Sequence, residues 1–178
     1  MAVAPRTETN RASYRRHRGR RWHTSTLIAV LITLFIFCVW LHPLTLGNGS
    51  MEPGFEDGAV VLADRLQKFF REPERTDIVW FTEGDAQRVR RIVAMPGEIV
   101  SGRDGHLCIN GDFLLDENYT EGETADFEAF TVPEKHVLCL PDNRTFFTGM
   151  NVKSYCLKID DIKGIVHLKI IPERAFYR

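Results

Sequence analysis

An uncharged apolar run near the N-terminus constrains this chain more than any other feature. Residues 27–41, LIAVLITLFIFCVWL, carry no charge, and extension through residues 42–46 approaches the roughly 20 residues that a helix needs to cross a bilayer. Residues 1–25 hold seven arginines against one glutamate, although the whole chain of 178 residues has a net charge of −1. The pattern predicts a basic arm over residues 1–25, a transmembrane anchor over residues 26–46 and an acidic domain over residues 47–178.

The arginines also predict how the anchor is oriented. Basic residues remain on the cytoplasmic side of a membrane span, so we expect a cytoplasmic N-terminus and an extracytoplasmic domain at the cell membrane. A cleavable signal peptide is the alternative, but no pair of small residues follows the run, and Trp40 lies near its far end, where aromatic side chains favour the interface. The span explains the arginines more simply than a nucleic-acid-binding arm does. The expected partner is therefore the lipid bilayer and not nucleic acid.

Beyond the anchor, short β-rich runs separated by turns predict a mainly β domain with an antiparallel, coiled or closed sheet. Asn110-Gly111 is the favoured two-residue hairpin turn, because both of its positions adopt positive φ. Residues 66–75 are the expected place for a flexible or helical insertion. The predicted strands are residues 59–63, 77–81, 87–95, 98–102, 106–109, 112–115, 127–132, 136–140 and 164–171.

The cysteines and histidines do not predict a metal site or a cofactor. Of the four cysteines, Cys38 lies in the apolar run and the other three follow it. No C-x-x-C occurs and the histidines are scattered, so no zinc-binding pattern is present. A bridge between Cys139 and Cys156 is sterically possible; the alternative is that these two and Cys108 are small buried hydrophobic residues.

The stretch GNGSMEPGF at residues 47–55 directly follows the apolar run. A serine in a glycine-rich stretch usually serves a turn, so Ser50 alone indicates little. Its surroundings are more informative, because the S-M-x-P core is followed in order by DIVWF, VRRIVAMPGEIV, INGDFLLDENY, VPEKHVLCLPDNR and DIKGIV. On these segments the chain resembles the type I signal peptidases, membrane-anchored serine proteases that remove signal peptides from exported proteins.

The resemblance implies a signal-peptidase-like catalytic domain in which Ser50 is the nucleophile and a neutral lysine takes its proton. It also implies that the Asn48 carboxamide donates a hydrogen bond to the oxyanion, although asparagine also suits a tight turn. Met51 and Pro53 are expected to contact the substrate, a signal peptide or another extended segment of an exported protein.

The lysine position of the family's V-K-R segment is Arg90 in this chain. A guanidinium has a pKa above about 12 and stays protonated in proteins, so Arg90 donates hydrogen bonds but does not accept the serine proton. No histidine lies nearby in sequence, and Lys68 is the first lysine after Ser50. The sequence therefore reveals no general base.

The last conserved segment of the family, G-D-N-R-S-x-D-S-R, is retained only in its first half. Asp142, Asn143 and Arg144 keep the structural motif, whereas Pro141 replaces its glycine. Other residues stand where the family has the later serine, aspartate, serine and arginine, namely Phe147, Gly149, Met150 and Asn151. The lysine and the residues expected to orient it are thus lost together.

The family also rests a strip of exposed apolar residues on the bilayer. Phe55, Trp80 and Phe81 are candidates for such a strip, and packing in the core is the alternative for all three.

Two functions remain open. The first is a signal peptidase in which Ser50 attacks a backbone carbonyl with a base that the sequence does not reveal. The second is a non-catalytic relative that binds extended peptides at a sheet edge, as a chaperone or assembly factor for exported or surface-fibre proteins. A self-cleaving repressor shares the serine–lysine chemistry, but the membrane span and the lack of a helix-turn-helix pattern argue against it.

Overall fold

The computed structural model describes residues 9–114, 120–147, 149 and 151–169. The chain divides into two units, Met1–Trp40 and Leu41–Arg178, and the second is called the β unit below. The described part of the first unit is one helix, α1 (Thr9–Trp40). Its segment His23–Trp40 has a mean hydropathy of 2.0 and is long and apolar enough to cross a membrane.

The β unit consists mainly of antiparallel strands. They form a seven-stranded sheet in the order β1-β2-β11-β3-β4-β9-β10 and a four-stranded sheet in the order β7-β6-β5-β8. The mainly β fold with one apolar N-terminal helix is therefore confirmed, and in the part of the chain that the structure describes both sheets keep edge strands instead of closing. The strands are β1 (Leu41–Thr45), β2 (Val60–Asp64), β3 (Ile78–Glu83), β4 (Ala86–Ala94), β5 (Ile99–Arg103), β6 (His106–Ile109), β7 (Asp112–Phe113), β8 (Phe127–Thr131), β9 (His136–Leu140), β10 (Cys156–Lys158) and β11 (Gly164–Lys169).

The apolar run does not continue as a helix to residue 46. The helix ends at Trp40, and β1 pairs with β2 in the register Leu41↔Asp64 to Thr45↔Val60. Pro43 explains the change, because proline lacks an N–H and disfavours the helical conformation of the residue before it. It is tolerated in β1 because this strand lies at an edge of its sheet. Leu44 and Leu46 are consequently core residues of the β unit.

Most predicted strands are present, with shifts of a residue or two at their ends. The Asn110-Gly111 turn is confirmed, since φ is 53° at Asn110 and 95° at Gly111 between β6 and β7. The insertion at residues 66–75 contains one short helix, α2 (Gln67–Phe70). Neither β1 nor β10 was predicted, because each is short and lacks a clear alternation of apolar residues. Positions 115 and 170–171 of two predicted strands lie outside the described residues.

Among the described residues, buried apolar side chains form three clusters, and two of them support the loop and the strand that carry the candidate functional site. The first joins β4 and β9 to the four-stranded sheet through Val93, Val100 and Leu138. The second is built mainly from apolar residues between positions 44 and 63, among them Met51, and also includes Trp80.

Trp80 is only 4% exposed and stacks on His42, so it is a core residue, the alternative to the membrane-facing strip. Phe55 and Phe81 also pack against core clusters. Phe69 and Phe70 of α2 are, by contrast, 73% and 80% exposed. The sequence did not show which aromatic residues are buried, because the burial of an aromatic on a β-strand depends on which strands pair with it.

The cysteines are free thiols, so the bridge between Cys139 and Cys156 is not formed. Cys156 lies opposite Leu138 in the pairing of β10 with β9. Cys108 and Cys139 are buried, as expected for small hydrophobic residues. Burial raises the pKa of the Cys139 thiol, which keeps it protonated.

Gly102 is required by close packing in the four-stranded sheet. A Cβ at this position would lie 2.7 Å from the Phe127 ring and closer still to the Ala125 carbonyl oxygen. We predict that Gly102→Ala lowers the free energy of unfolding by about 1–3 kcal/mol, because extra volume in a packed site forces its neighbours to shift. Gly47→Ala is the matched control, since no atom lies within 4 Å of its Cβ position. Denaturant unfolding of the full chain in detergent measures both; equal stability of the two variants would contradict the packing argument.

Thr76 is a β-branched residue in the left-handed region of the backbone, with a φ of 74°. The left-handed region costs a β-branched residue roughly 1–2 kcal/mol, whereas glycine adopts it freely. We predict that Thr76→Gly raises the free energy of unfolding by up to about 1 kcal/mol, after the added flexibility of glycine in the unfolded chain is allowed for. The same unfolding measurement tests this, and a loss of stability would show that the threonine side chain makes a compensating contact.

Candidate functional site

Ser50 lies in a loop that joins β1 to β2 and is closed at its base. The Leu46 N–H donates to the Ala59 carbonyl at 2.8 Å, and the Gly58 N–H donates to the Leu46 carbonyl at 2.7 Å. Met51 inserts into the core cluster beneath the loop and is 2% exposed. The residue after Ser50 therefore anchors the loop, and the position of the serine is fixed from both ends.

The turn before Ser50 depends on left-handed backbone. Asn48 and Gly49 have φ values of 67° and 63°. A Cβ on Gly49 would lie 3.0 Å from a carboxylate oxygen of Glu52, so a side chain does not fit there without a shift. Asn48 thus serves the turn, as the simpler interpretation of this residue expected. Its side chain is exposed and lines the same cavity as Ser50, which leaves the oxyanion role a prediction.

Ser50 is 7% exposed, and its hydroxyl contacts the side chain at the expected lysine position. Arg90 on β4 donates from Nη1 to Ser50 Oγ at 3.1 Å. The same nitrogen donates to the Val89 carbonyl at 3.0 Å. The loop serine and the strand arginine are forty positions apart in the sequence and are hydrogen-bonded in the structure. The structure thus brings together the two positions at which the family has its serine and lysine.

Arg90 is largely buried and remains charged. Desolvation lowers its pKa from the ordinary value, and the neighbouring charge of Arg88 acts in the same direction. A guanidinium starts from a pKa above about 12, so it stays protonated near neutral pH. The hydrogen bond to Ser50 is consequently donated by a permanent cation, which stabilises a lone pair of the hydroxyl oxygen and offers no acceptor for its proton.

A buried ion pair holds the neighbouring loop against β4. Arg91 Nε donates to Asp142 Oδ1 at 2.8 Å and its Nη2 contacts Oδ2, which gives a two-pronged pair with side-chain exposures of 11% and 1%. The Asn143 N–H then donates to the Ser50 carbonyl at 3.1 Å. Arg144 is 2% exposed and donates to the Pro141 carbonyl. Asn143 therefore contacts the Ser50 loop directly, while the contacts of Asp142 and Arg144 hold the segment that carries it.

The second half of the family's last segment, residues 147–151, does not supply the polar side chains that the family has there. Phe147 is buried in the first core cluster, and Gly149 has a φ of 69°. Asn151 immediately precedes a short 3₁₀ helix, Val152–Tyr155. Met150 lies outside the described residues. Phe147 packs edge-to-face against Phe127 and Tyr155, so an aromatic contact occupies the position of the expected serine.

A cavity of about 260 Å³ opens beside Ser50. Its wall combines the end of β1 and the following turn with the first half of β4, and it contains two arginines and no acidic residue. The lining residues are Leu44, Thr45, Leu46, Gly47, Asn48, Ser50, Gln87, Arg88, Val89 and Arg90. Met51 and Pro53, which were expected to contact the substrate, are not among them, because Met51 points into the core and Pro53 is exposed on the outer side of the turn.

The part of β4 along the cavity has an open edge. On one side β4 pairs with β3 over residues 86–91, from Ile78↔Arg91 to Glu83↔Ala86. On the other side β9 pairs only with the segment from Arg91 to Ala94. Among the described residues, positions 87–90 are therefore paired on the β3 side and have no strand on the other side. This edge was not predicted, since it depends on where β9 ends.

No described lysine or histidine lines the cavity. Lys68, the first lysine after Ser50, donates instead to the Ile162 carbonyl at 2.9 Å. His42 stacks on Trp80. In the described ranges no group of three or more His, Cys, Asp or Glu side chains is arranged to hold a metal ion. The arrangement can bind an extended chain and an anion, but it offers Ser50 no proton acceptor among these residues.

Comparisons with known proteins identify the family of the chain. The family profile described as "Signal peptidase, peptidase S26" matches residues 19–152. Signal peptidase I of Bacillus licheniformis is 32% identical over 136 residues, which cover 69% of this chain and 73% of that protein. Signal peptidase I T of Bacillus subtilis is 31% identical over 136 residues and is covered to 70%.

A crystal structure of a signal peptidase I from Enterococcus faecalis matches with a TM-score of 0.43 and 24% identity, covering 55% of this chain and 98% of that one. The profile match extends over most of the chain, and two relatives above 30% identity are each covered by more than two thirds. The chain therefore belongs to the signal peptidase family, peptidase S26.

Proposed function

We propose that this chain is a single-pass membrane protein that binds extended segments of exported proteins at the Ser50 cavity and does not cleave them by serine–lysine catalysis. The observation that carries the proposal is the hydrogen bond from Arg90 Nη1 to Ser50 Oγ at 3.1 Å. It puts a permanent donor where peptidase chemistry needs an acceptor.

The chemical reason is the destination of the serine proton. A serine hydroxyl becomes an effective nucleophile when a neighbouring base removes its proton during attack. General-base catalysis typically contributes about 10²- to 10⁴-fold to the rate. A guanidinium does not supply this contribution, and the described residues around Ser50 include no imidazole or amine.

The open edge of β4 supports peptide binding. Residues 87–90 present main-chain donors and acceptors beside the cavity, and an extended peptide can add to such an edge as a further strand. The relatives are named signal peptidases, so signal peptides and neighbouring extended segments of exported proteins are the expected ligands.

The helix α1 and the arginines before it support an anchor in the cell membrane. The segment His23–Trp40 is apolar enough to span a bilayer, and none of it is buried inside the structure. Arginines concentrated before a span favour a cytoplasmic N-terminus, which places the β unit on the outer side. A chaperone or assembly factor for exported proteins would act there.

An active signal peptidase is the second candidate. The observation that favours it is the retention of Ser50 and Asn48 on one cavity, because an amide donor there can stabilise an oxyanion. Activity would then need a base from outside the described residues.

Cleavage assays separate the two candidates. We predict that the full chain in detergent cleaves a signal-peptide substrate no faster than its Ser50→Ala variant, while binding of the same peptide by fluorescence anisotropy is retained. Faster cleavage by the unmodified chain would contradict the proposal. Failure of the chain to bind the peptide would contradict the part of the proposal that concerns peptide binding.

Arg90→Lys tests whether the base is the missing part. Burial and the charge of Arg88, which lower the pKa of Arg90, would also favour the neutral amine of a lysine at this position. We predict that Arg90→Lys gains cleavage on the order of 10²-fold, increasing as pH rises through the lysine pKa. The double variant Arg90→Lys with Ser50→Ala is the control and stays inactive. If Arg90→Lys shows no cleavage, the missing base alone does not explain the loss of catalysis.

A further inference from the structure

The Ser50 cavity contains a cation, Arg90, that forms an ion pair with no described carboxylate; Glu83, whose charge acts on it, pairs with Arg88. Arg90 uses Nη1 for Ser50 and Val89, and its Nε and Nη2 groups donate to none of the described residues. The two neighbouring arginines differ, because Arg88 pairs with Glu83 and Arg91 pairs with Asp142. An unpaired charge in a largely buried position is unfavourable. The cavity therefore favours an anionic ligand.

We propose that this cavity binds the C-terminal carboxylate of an extended peptide, the end that hydrolysis of a peptide bond by an endopeptidase leaves on the N-terminal fragment. The proposal rests on the proposed function, because the peptide is held at the open edge of β4. It adds the chemical group that the site recognises.

The donors at the cavity match a carboxylate. The Nε and Nη2 groups of a guanidinium form a planar fork that binds both carboxylate oxygens. Ser50 Oγ accepts from Arg90, so the hydroxyl keeps its own proton for donation to the ligand. The Asn48 carboxamide lines the same cavity and offers a further N–H. The hydroxyl that serves as nucleophile in a serine peptidase thus becomes a hydrogen-bond donor.

The strand edge explains why the anion is a peptide terminus and not a free inorganic ion. Residues 87–90 line the cavity, and their second edge has no strand partner among the described residues. The Val89 carbonyl on this segment accepts a hydrogen bond from Arg90. When the Nε and Nη2 fork binds a carboxylate, Nη1 keeps its bond to Ser50 and releases the Val89 carbonyl, which becomes available to a peptide N–H. Binding of the terminal charge and addition of the strand therefore support each other, whereas an inorganic anion uses only the guanidinium.

The test compares two forms of one peptide. A fluorescent peptide of about ten residues ending in Ala-Gln-Ala is prepared with a free terminal carboxylate and as the terminal amide. At pH of about 7 the carboxylate is fully charged. We expect the full chain in detergent to bind the carboxylate form at least about tenfold more tightly than the amide, the scale of a charge-assisted pair. Fluorescence anisotropy titrations give both dissociation constants.

Arg90→Gln tests the assigned residue, and Arg103→Gln is the matched control. Arg103 is exposed on β5 in the other sheet, so its variant loses the same charge at a distance from the cavity. We expect the ratio of the two dissociation constants to fall to about one in Arg90→Gln and to stay unchanged in Arg103→Gln. Arg90→Lys lacks the planar fork, and its amine loses its charge as the pH rises through the lysine pKa, so we expect a ratio that is lower than in the unmodified chain and that falls further with rising pH.

Each other outcome has a defined meaning. Equal binding of the two peptides by the unmodified chain would overturn the carboxylate site and leave the proposed function standing. A carboxylate preference that persists in both Arg90→Gln and Arg90→Lys would overturn the assignment to Arg90. Failure of the unmodified chain to bind either peptide would overturn both the carboxylate site and the proposed function.

Discussion

The interaction on which the site depends is the hydrogen bond from the Arg90 guanidinium to the Ser50 hydroxyl. It joins a loop serine to a strand side chain forty positions later, and the loop closure, the Met51 anchor and the Arg91–Asp142 pair all hold the two in place. A lysine in this position has a neutral form within reach of physiological pH, since burial lowers its pKa. An arginine does not, so the side chain that contacts Ser50 in this chain is a fixed donor and not a proton acceptor.

The remainder of the site follows from how β4 is shared between its neighbours. Its second half is covered by β9 and carries the buried Arg91–Asp142 pair, which positions Asn143 against the Ser50 carbonyl. Its first half is open and lines the cavity. The same strand thus supplies a rigid support at one end and an accessible edge at the other. Two consecutive arginines lie at this junction: Arg91 is paired with Asp142, and Arg90 lines the cavity, which favours an anionic ligand.

Much of this arrangement could be predicted from sequence, and the failures have physical causes. The hairpin at Asn110-Gly111 was predictable because its positive φ angles demand those residues. The Ser50–Arg90 pairing was predictable from the order of the family's segments. The helix end at Trp40 was missed although Pro43 indicates it, because the apolar residues of β1 resemble those of the span in composition. The burial of Trp80 and the open edge at residues 87–90 depend on where His42 and β9 lie in space, which local sequence does not encode.

The protonation and contact of Arg90 are the most direct test of the account. NMR of the full chain with ¹⁵N-labelled arginine resolves guanidinium signals, and comparison with Arg90→Lys assigns the one that belongs to Arg90. The account predicts a charged guanidinium from about pH 5 to about pH 10 whose signal shifts in Ser50→Ala. An Arg90 signal that is unaffected by Ser50→Ala, or that loses its proton within this range, would contradict the central claim.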